Sequence, residues 1–240
     1  MGKLIPREDG APWRNFYGRR HGKTMRKGQV ALLEERLPGL APPGVGWAEN
    51  PDRTPVDFAA MRPGAREIWL EIGFGGGEHL VAMAAANPDV LLIGCEPFVN
   101  GVAMCLSALE GSGIENVRLH AGDAREIFDV SNERVFGRIF VNYPDPWPKT
   151  RHHRRRFIGP DNLPHLARVA APGARLHVAT DIPDYARHTL EAMRGFPEFQ
   201  WTAETAEGWR RPWPDWPGSR YETKALAEGR SPCYLTFARA

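Results

Sequence analysis

A chain of 240 residues is long enough to bury one substantial core, either as one large domain or as one domain with an added segment. Its net charge of only +2 means that attraction to a polyanion has to come from local patches. Three cysteines without CxxC spacing argue against a disulfide framework and a thiolate zinc site, and no run approaches the roughly 18 apolar residues of a membrane span, so a soluble protein of a reducing cytoplasm is expected.

Residues 1 to 60 lack a sustained period and are rich in charge, Pro and Gly, which reads as a basic, partly mobile arm ahead of a domain over 61 to 240. Eight Lys or Arg stand against two acids in the first 30 residues, and the helical candidate in the arm is GQVALLEERL at 28 to 37. From 66 onward short apolar runs alternate with amphipathic stretches of helical length. Strands are expected at EIWLEIGF (67 to 74), VLLIGCE (90 to 96), VRLHAG (117 to 122), RIFVNY (138 to 143) and RLHVAT (175 to 180). Between them lie the helical candidates GEHLVAMAAA, FVNGVAMCLSALE, a short piece around AREIF, and GPDNLPHLARVA, with DYARHTLEAMRGF after the last. Two more strands, FQWTAET and CYLTFARA, complete an α/β fold: a mostly parallel seven-stranded sheet with helices on both faces and a closing antiparallel strand. RRPWPDWP at 210 to 217 reads as a rigid loop.

EIGFGGGEHL places Gly73, Gly75 and Gly77 where a buried strand passes into a helix, which permits a tight turn and close backbone approach to a ligand. Such a turn alone serves nicotinamide cofactors, flavins, S-adenosylmethionine or no ligand. The acids narrow the choice. Glu71, Glu96, Asp123, Asp145 and Asp181 stand at the carboxyl ends of successive strands, the edge at which open parallel sheets bind ligands. Glu96 suits ribose hydroxyls in either kind of cofactor, but an acidic edge repels a pyrophosphate and attracts a sulfonium and an ammonium, which favours S-adenosylmethionine. Each acid also has an ordinary use: Glu71 capping a turn, Asp123 and Asp181 capping the helices that follow them.

In NYPDPWPKTRHHRRRF, Pro144 and Pro146 fix φ and remove two backbone donors, so Asp145 is held at the sheet edge. The loop resembles, without matching, the Asn/Asp-Pro-Pro-aromatic loop of amino-group methyltransferases, in which Asn142 or Asp145 would accept from an exocyclic amine. Lys149, Arg151, Arg154, Arg155 and Arg156 form a single-signed run suited to a phosphate backbone, with a solvated helix face as the alternative. Trp147 either stacks on a base or packs beneath the loop. His152 and His153 belong to the polar surface, and no metal motif includes them.

PDPWPKTRHHRRR, from Pro144 to Arg156, resembles the hallmark PDPWxKxRHxxRR of the bacterial tRNA (guanine-N7-)-methyltransferases. FYGRRHGKTMRKGQ, LEIGFGGGEHL, GCEP, GDARE, VNYPDPWPK, VATD and SRYETK are similar to segments of that family in the same order, over most of the chain. The resemblance implies a Rossmann-like class I methyltransferase fold and methyl transfer from S-adenosylmethionine to N7 of a guanosine in tRNA, at position 46 of the variable loop. It implies cofactor contacts at Glu71, Gly73, Gly75, Glu96 and Asp123, and a catalytic or base-binding role for Asp145. It implies substrate contacts at Lys149, Asp181 and the Ser219 to Glu222 segment, beside the phosphate contacts expected of Arg151, Arg154 and Arg155. Ser219 departs from the family's usual threonine and keeps the hydroxyl. A base amino-group methyltransferase, a nicotinamide oxidoreductase and a non-catalytic RNA-binding module are the competing readings, and the sequence leaves monomer and homodimer open.

Overall fold

The computed structural model of the chain describes residues 16–240, so Lys3, Arg7 and Arg14 of the expected arm lie outside the described residues. Helix α1 (Lys27–Glu35), the single turn α2 (Leu37–Leu40) and a 3₁₀ turn at Ala59–Met61 come first. Then follow β1 (Glu67–Ile72), α3 (Glu78–Ala86), β2 (Val90–Cys95), α4 (Val99–Leu109), β3 (Val117–His120), α5 (Ala124–Val130) and β4 (Phe136–Asn142). After a 3₁₀ turn at Thr150–Arg155 the chain forms α6 (Leu163–Val169), β5 (Ala170–Thr180), α7 (Pro183–Arg194), β6 (Phe199–Trp201), α8 (Glu207–Arg210), α9 (Arg220–Ala227) and β7 (Cys233–Arg239).

These strands form one seven-stranded sheet in the order β3-β2-β1-β4-β5-β7-β6. The first five are parallel; β7 runs antiparallel to both of its neighbours, β5 and β6. Side chains alternate across a strand, and the apolar runs divide accordingly. Leu70, Leu91, Ile93, Ile139, Val141 and Leu176 meet α5, α6 and α7 on one face. Trp69, Leu92 and Phe140 meet α3 and α4 on the other. Glu71 pairs in register with Phe140, and Phe140 with His177, so Glu71, Asn142 and His177 project from this second face near the carboxyl ends of their strands.

The expected elements recur with shifted ends. FQWTAET pairs only through Trp201, and β5 starts at Ala170 because a bulge between β4 and β5 absorbs the Pro172–Gly173 step, where Gly173 has φ of 74°. The segment ahead of residue 61 contributes to packing: Leu32, Leu33, Leu37 and Leu40 cover the α3/α4 layer, and Val45 and Phe58 are fully buried in the opposite layer. Among the described residues no helix is long and apolar enough to cross a membrane.

Candidate active site

The glycine turn joins β1 to α3. Gly73, Gly75 and Gly77 adopt φ of 74°, 58° and 83°, the left-handed region that side chains avoid, so glycine is required by backbone shape. Close approach adds a second reason at Gly77, where a Cβ would sit 2.4 Å from Cys105 Sγ on α4. At Gly73 a Cβ would meet nothing within 4 Å, so the turn is open on that side.

Glu96, at the end of β2, spans the turn. One carboxylate oxygen accepts from the Gly75 N–H at 2.7 Å and the other from the Phe98 N–H at 2.8 Å. Burial pushes its carboxyl above the usual range, Asp145 adds to the rise, and the two N–H donors oppose it. Glu71 is 2% exposed and accepts at 2.7 Å from Nδ1 of His79, itself 3% exposed, so it caps no turn. Asp123 does N-cap α5 through the Arg125 N–H at 2.9 Å, and the Arg125 guanidinium folds back onto the same carboxylate. Asp181 is not a helix cap: α7 starts without a side-chain cap, and Asp181 pairs with Arg230 Nε at 2.5 Å.

The PDPW loop follows β4 between two residues in left-handed conformations, Tyr143 at φ 48° and Trp147 at 43°. Strain of this kind persists only where surrounding structure enforces it. Part of that enforcement is Arg156. The run of cations was expected to present Arg156 to phosphate; instead it is 3% exposed, donates at 2.9 Å to the Pro146 carbonyl and pairs with Asp184 on α7. A guanidinium supplies enough donors to hold both partners at once, which places this residue beneath the loop rather than on its outer face. Lys149, Arg151 and Arg154 do face solvent. Arg155 lies over the rings of Tyr17 and Trp147, 4.6 and 4.9 Å from their centroids, so Trp147 takes the packing role rather than standing free. His153 also turns inward, 3.0 Å from Arg156 Nη2 and 3.5 Å from Asp184. Asp145 keeps an exposed outer surface, yet partial burial pushes its carboxyl upward, with Arg19 opposing.

From the far end of the chain, Ser219 N-caps α9, its hydroxyl accepting from the Glu222 N–H at 3.1 Å. The Glu222 carboxylate accepts from Trp216 Nε1 at 2.8 Å and from the Tyr234 hydroxyl. Two carboxylate oxygens offer about four lone-pair positions, so Asp181 and Glu222 retain accepting capacity beyond these partners. Arg220 approaches Glu78 at 3.5 Å, and Tyr221 lies against Gly75, bringing α9 over the start of α3. Glu71, Gly73, His79, Asn142, Ser219 and Tyr221 thereby border one small cleft, next to the turn that Glu96 holds through Gly75.

The sequence pattern pointed to the acids but not to His79, Trp216, Tyr234 and Arg230, which contact them or each other here. His79 reads as an ordinary position in a helical run, and the other three become relevant only through contacts between residues far apart in sequence.

A family described as "Putative methyltransferase" matches residues 65–234. The solved structure of the 16S rRNA methyltransferase KamB has the same fold, with a TM-score of 0.54 and 16% identity over 76% of this chain and 92% of that one. Sequence similarity is far higher among curated tRNA (guanine-N(7)-)-methyltransferases. That of Ruegeria sp. (strain TM1040) is 60% identical over 96% of this chain and 89% of its own length. That of Ruegeria pomeroyi is 56% identical over 95% of each, and that of Roseobacter denitrificans 54% identical over 95% and 97%. With identity of 54–60% extending over 95–96% of its length, the chain belongs to the tRNA (guanine-N(7)-)-methyltransferase family.

Proposed function

We propose that this chain transfers a methyl group from S-adenosylmethionine to N7 of a guanosine in tRNA, in the cytoplasm, giving N7-methylguanosine. The observation that carries the reading is the juxtaposition, at one sheet edge, of an acid-lined cleft and an exposed cationic run, in a chain of this family. The residues suit the donor. Glu96 is an acceptor aimed across the glycine turn, Gly73 leaves room beside it, and Glu71 adds a second carboxylate. When bound, S-adenosylmethionine supplies an electrophilic methyl on a sulfonium.

Glu96 would hold the ribose hydroxyls and Asp123 would flank the adenine end, leaving Glu71 and the Asn142 to Asp145 loop near the reacting end. Guanine N7 carries a lone pair and no proton, so no general base is needed. Methyl transfer, with N7 taking the methyl that the sulfonium gives up, would leave a neutral thioether and a positively charged purine. The protein's tasks are alignment and charge. Asp145 would orient the base and offset its developing charge. Asp181 and Glu222 would accept from guanine's N1 and exocyclic N–H groups, selecting guanine over adenine. Lys149, Arg151 and Arg154 would meet phosphates. From the basic arm of residues 1–60, Arg19 and Arg20 extend the same surface, since Tyr17 packs on Trp147 and the Arg20 carbonyl accepts from the Val99 N–H.

The test is incubation with labelled S-adenosylmethionine and unmodified tRNA, followed by nuclease digestion and identification of the nucleoside. Label in N7-methylguanosine is expected. Label in an N-methylated exocyclic amine would replace this reading with amino-group chemistry, and salt-sensitive tRNA binding without label would replace it with a binding module.

A further inference from the structure

Two buried side chains in the cleft carry polar atoms that find no partner among the described residues. Asn142 is 9% exposed, and among the described residues neither Oδ1 nor Nδ2 has a hydrogen-bond partner. His79 is 3% exposed; its Nδ1 is committed to Glu71 and its Nε2 has no partner. Buried polar groups are nearly always paired, so two such residues on one wall need a reason. Neither is free to turn away. The His79 ring is packed between Phe140 and Trp216, 4.9 and 5.0 Å from their centroids, and Asn142 is the last residue of β4.

The chemistry of the orphan atoms is specific. With Nδ1 committed to Glu71, Nε2 is the ring atom left for a ligand, an acceptor in the tautomer that carries its proton on Nδ1. Asn142 adds one acceptor and two N–H donors. Together with Glu71, the wall offers three kinds of acceptor and one kind of donor. Its position along the edge matters equally: with ribose at Glu96 on β2 and adenine toward β3, the remainder of the donor extends toward β1 and β4. That remainder ends in an α-amino acid, an ammonium beside a carboxylate.

We propose that Asn142 and His79 form the receptor for the amino acid end of the methyl donor. His79 Nε2, Asn142 Oδ1 and Glu71 accept from the ammonium, and Asn142 Nδ2 donates to the carboxylate. His79 has a second, positioning role, because its Nδ1–H holds the Glu71 carboxylate in place. This inference rests on the reading that the donor occupies this cleft.

The test compares two ligands by titration calorimetry. S-adenosylhomocysteine carries the amino acid end; 5′-methylthioadenosine shares the nucleoside and the thioether and lacks it. In Asn142→Leu, affinity for S-adenosylhomocysteine should fall about tenfold or more while that for methylthioadenosine stays within about twofold. Because the Asn142 side chain has no partner among the described residues, leucine should melt no lower than wild type. His79→Asn keeps an N–H for Glu71 and removes Nε2, and should weaken S-adenosylhomocysteine by about three- to fivefold, again with methylthioadenosine unchanged. Equal losses for both ligands, or none for either, would overturn the inference, as would a rise in tRNA KM with S-adenosylhomocysteine affinity intact, which would assign Asn142 to the base. If wild type bound neither ligand, the donor reading itself would fail and this inference with it.

Discussion

The tether between Arg156 and the PDPW loop makes a prediction that separates scaffold from RNA contact. Arg156→Met keeps the aliphatic stem and removes the guanidinium. The bond to the Pro146 carbonyl is charge-assisted and buried, so its loss should cost about 1.5–3 kcal/mol. The partner Asp184 is 38% exposed, so solvent screens its share and we add nothing for it. For a chain of this length each kcal/mol lowers Tm by about 2–4 °C, so calorimetry or dye-monitored melting should show a fall of about 3–12 °C. Freed from Pro146, the loop no longer fixes Asp145, and displacement by about 1 Å should lower kcat by up to about a hundredfold, with tRNA KM and the salt dependence of binding nearly unchanged. Arg156→Lys should recover part of the charge but not the two-partner geometry. Wild-type melting together with weakened, less salt-sensitive tRNA binding would refute the argument and return Arg156 to the phosphate-binding set.

Lys149→Gln, Arg151→Gln and Arg154→Gln should each reduce the slope of log K against log salt by about 0.7–0.9 in tRNA binding assays if each meets one phosphate. Partial burial raises the Asp145 carboxyl, so activity requiring its ionised form should fall, as pH drops, at a higher pH than an ordinary aspartate near about 3.9 would give. The sign for stability is opposite: the folded-state value lies above the unfolded one, so ionising Asp145 costs stability as pH rises through that window. Arg19→Gln should move the acid limb of the kcat/KM profile further upward, and Asp145→Asn should abolish it. Gly73→Ala should cost only left-handed strain, about 1–2 kcal/mol, whereas Gly77→Ala also drives a methyl into Cys105 and should leave little folded protein in a melting assay.

Much of the architecture was legible because strands buried on both faces leave near-continuous apolar runs, as in VLLIGC, and because the glycines mark where the backbone must turn. The order of acids along the edge followed from the same punctuation. Partners were not legible. A run of five cations looks uniform in one dimension, yet a 3₁₀ turn and a reversal after it send Arg156 inward while Arg151 and Arg154 stay outside. Similarly, RRPWPDWP signalled rigidity through proline, but nothing local indicates that Trp216 meets both His79 and Glu222. Such contacts depend on tertiary closure, which periodicity does not encode.

The position of β7 has a consequence for biosynthesis. It slots between β5 and β6, so β6 has no ladder partner until β7 arrives, and Glu222 lacks its Tyr234 donor until then as well. At about 5–20 residues per second, several seconds of translation separate β4 from β7. Through that interval a nascent chain holds the glycine turn and the proline loop but lacks the opposite wall, so competence for methylation should switch on only once β7 has been made and has inserted.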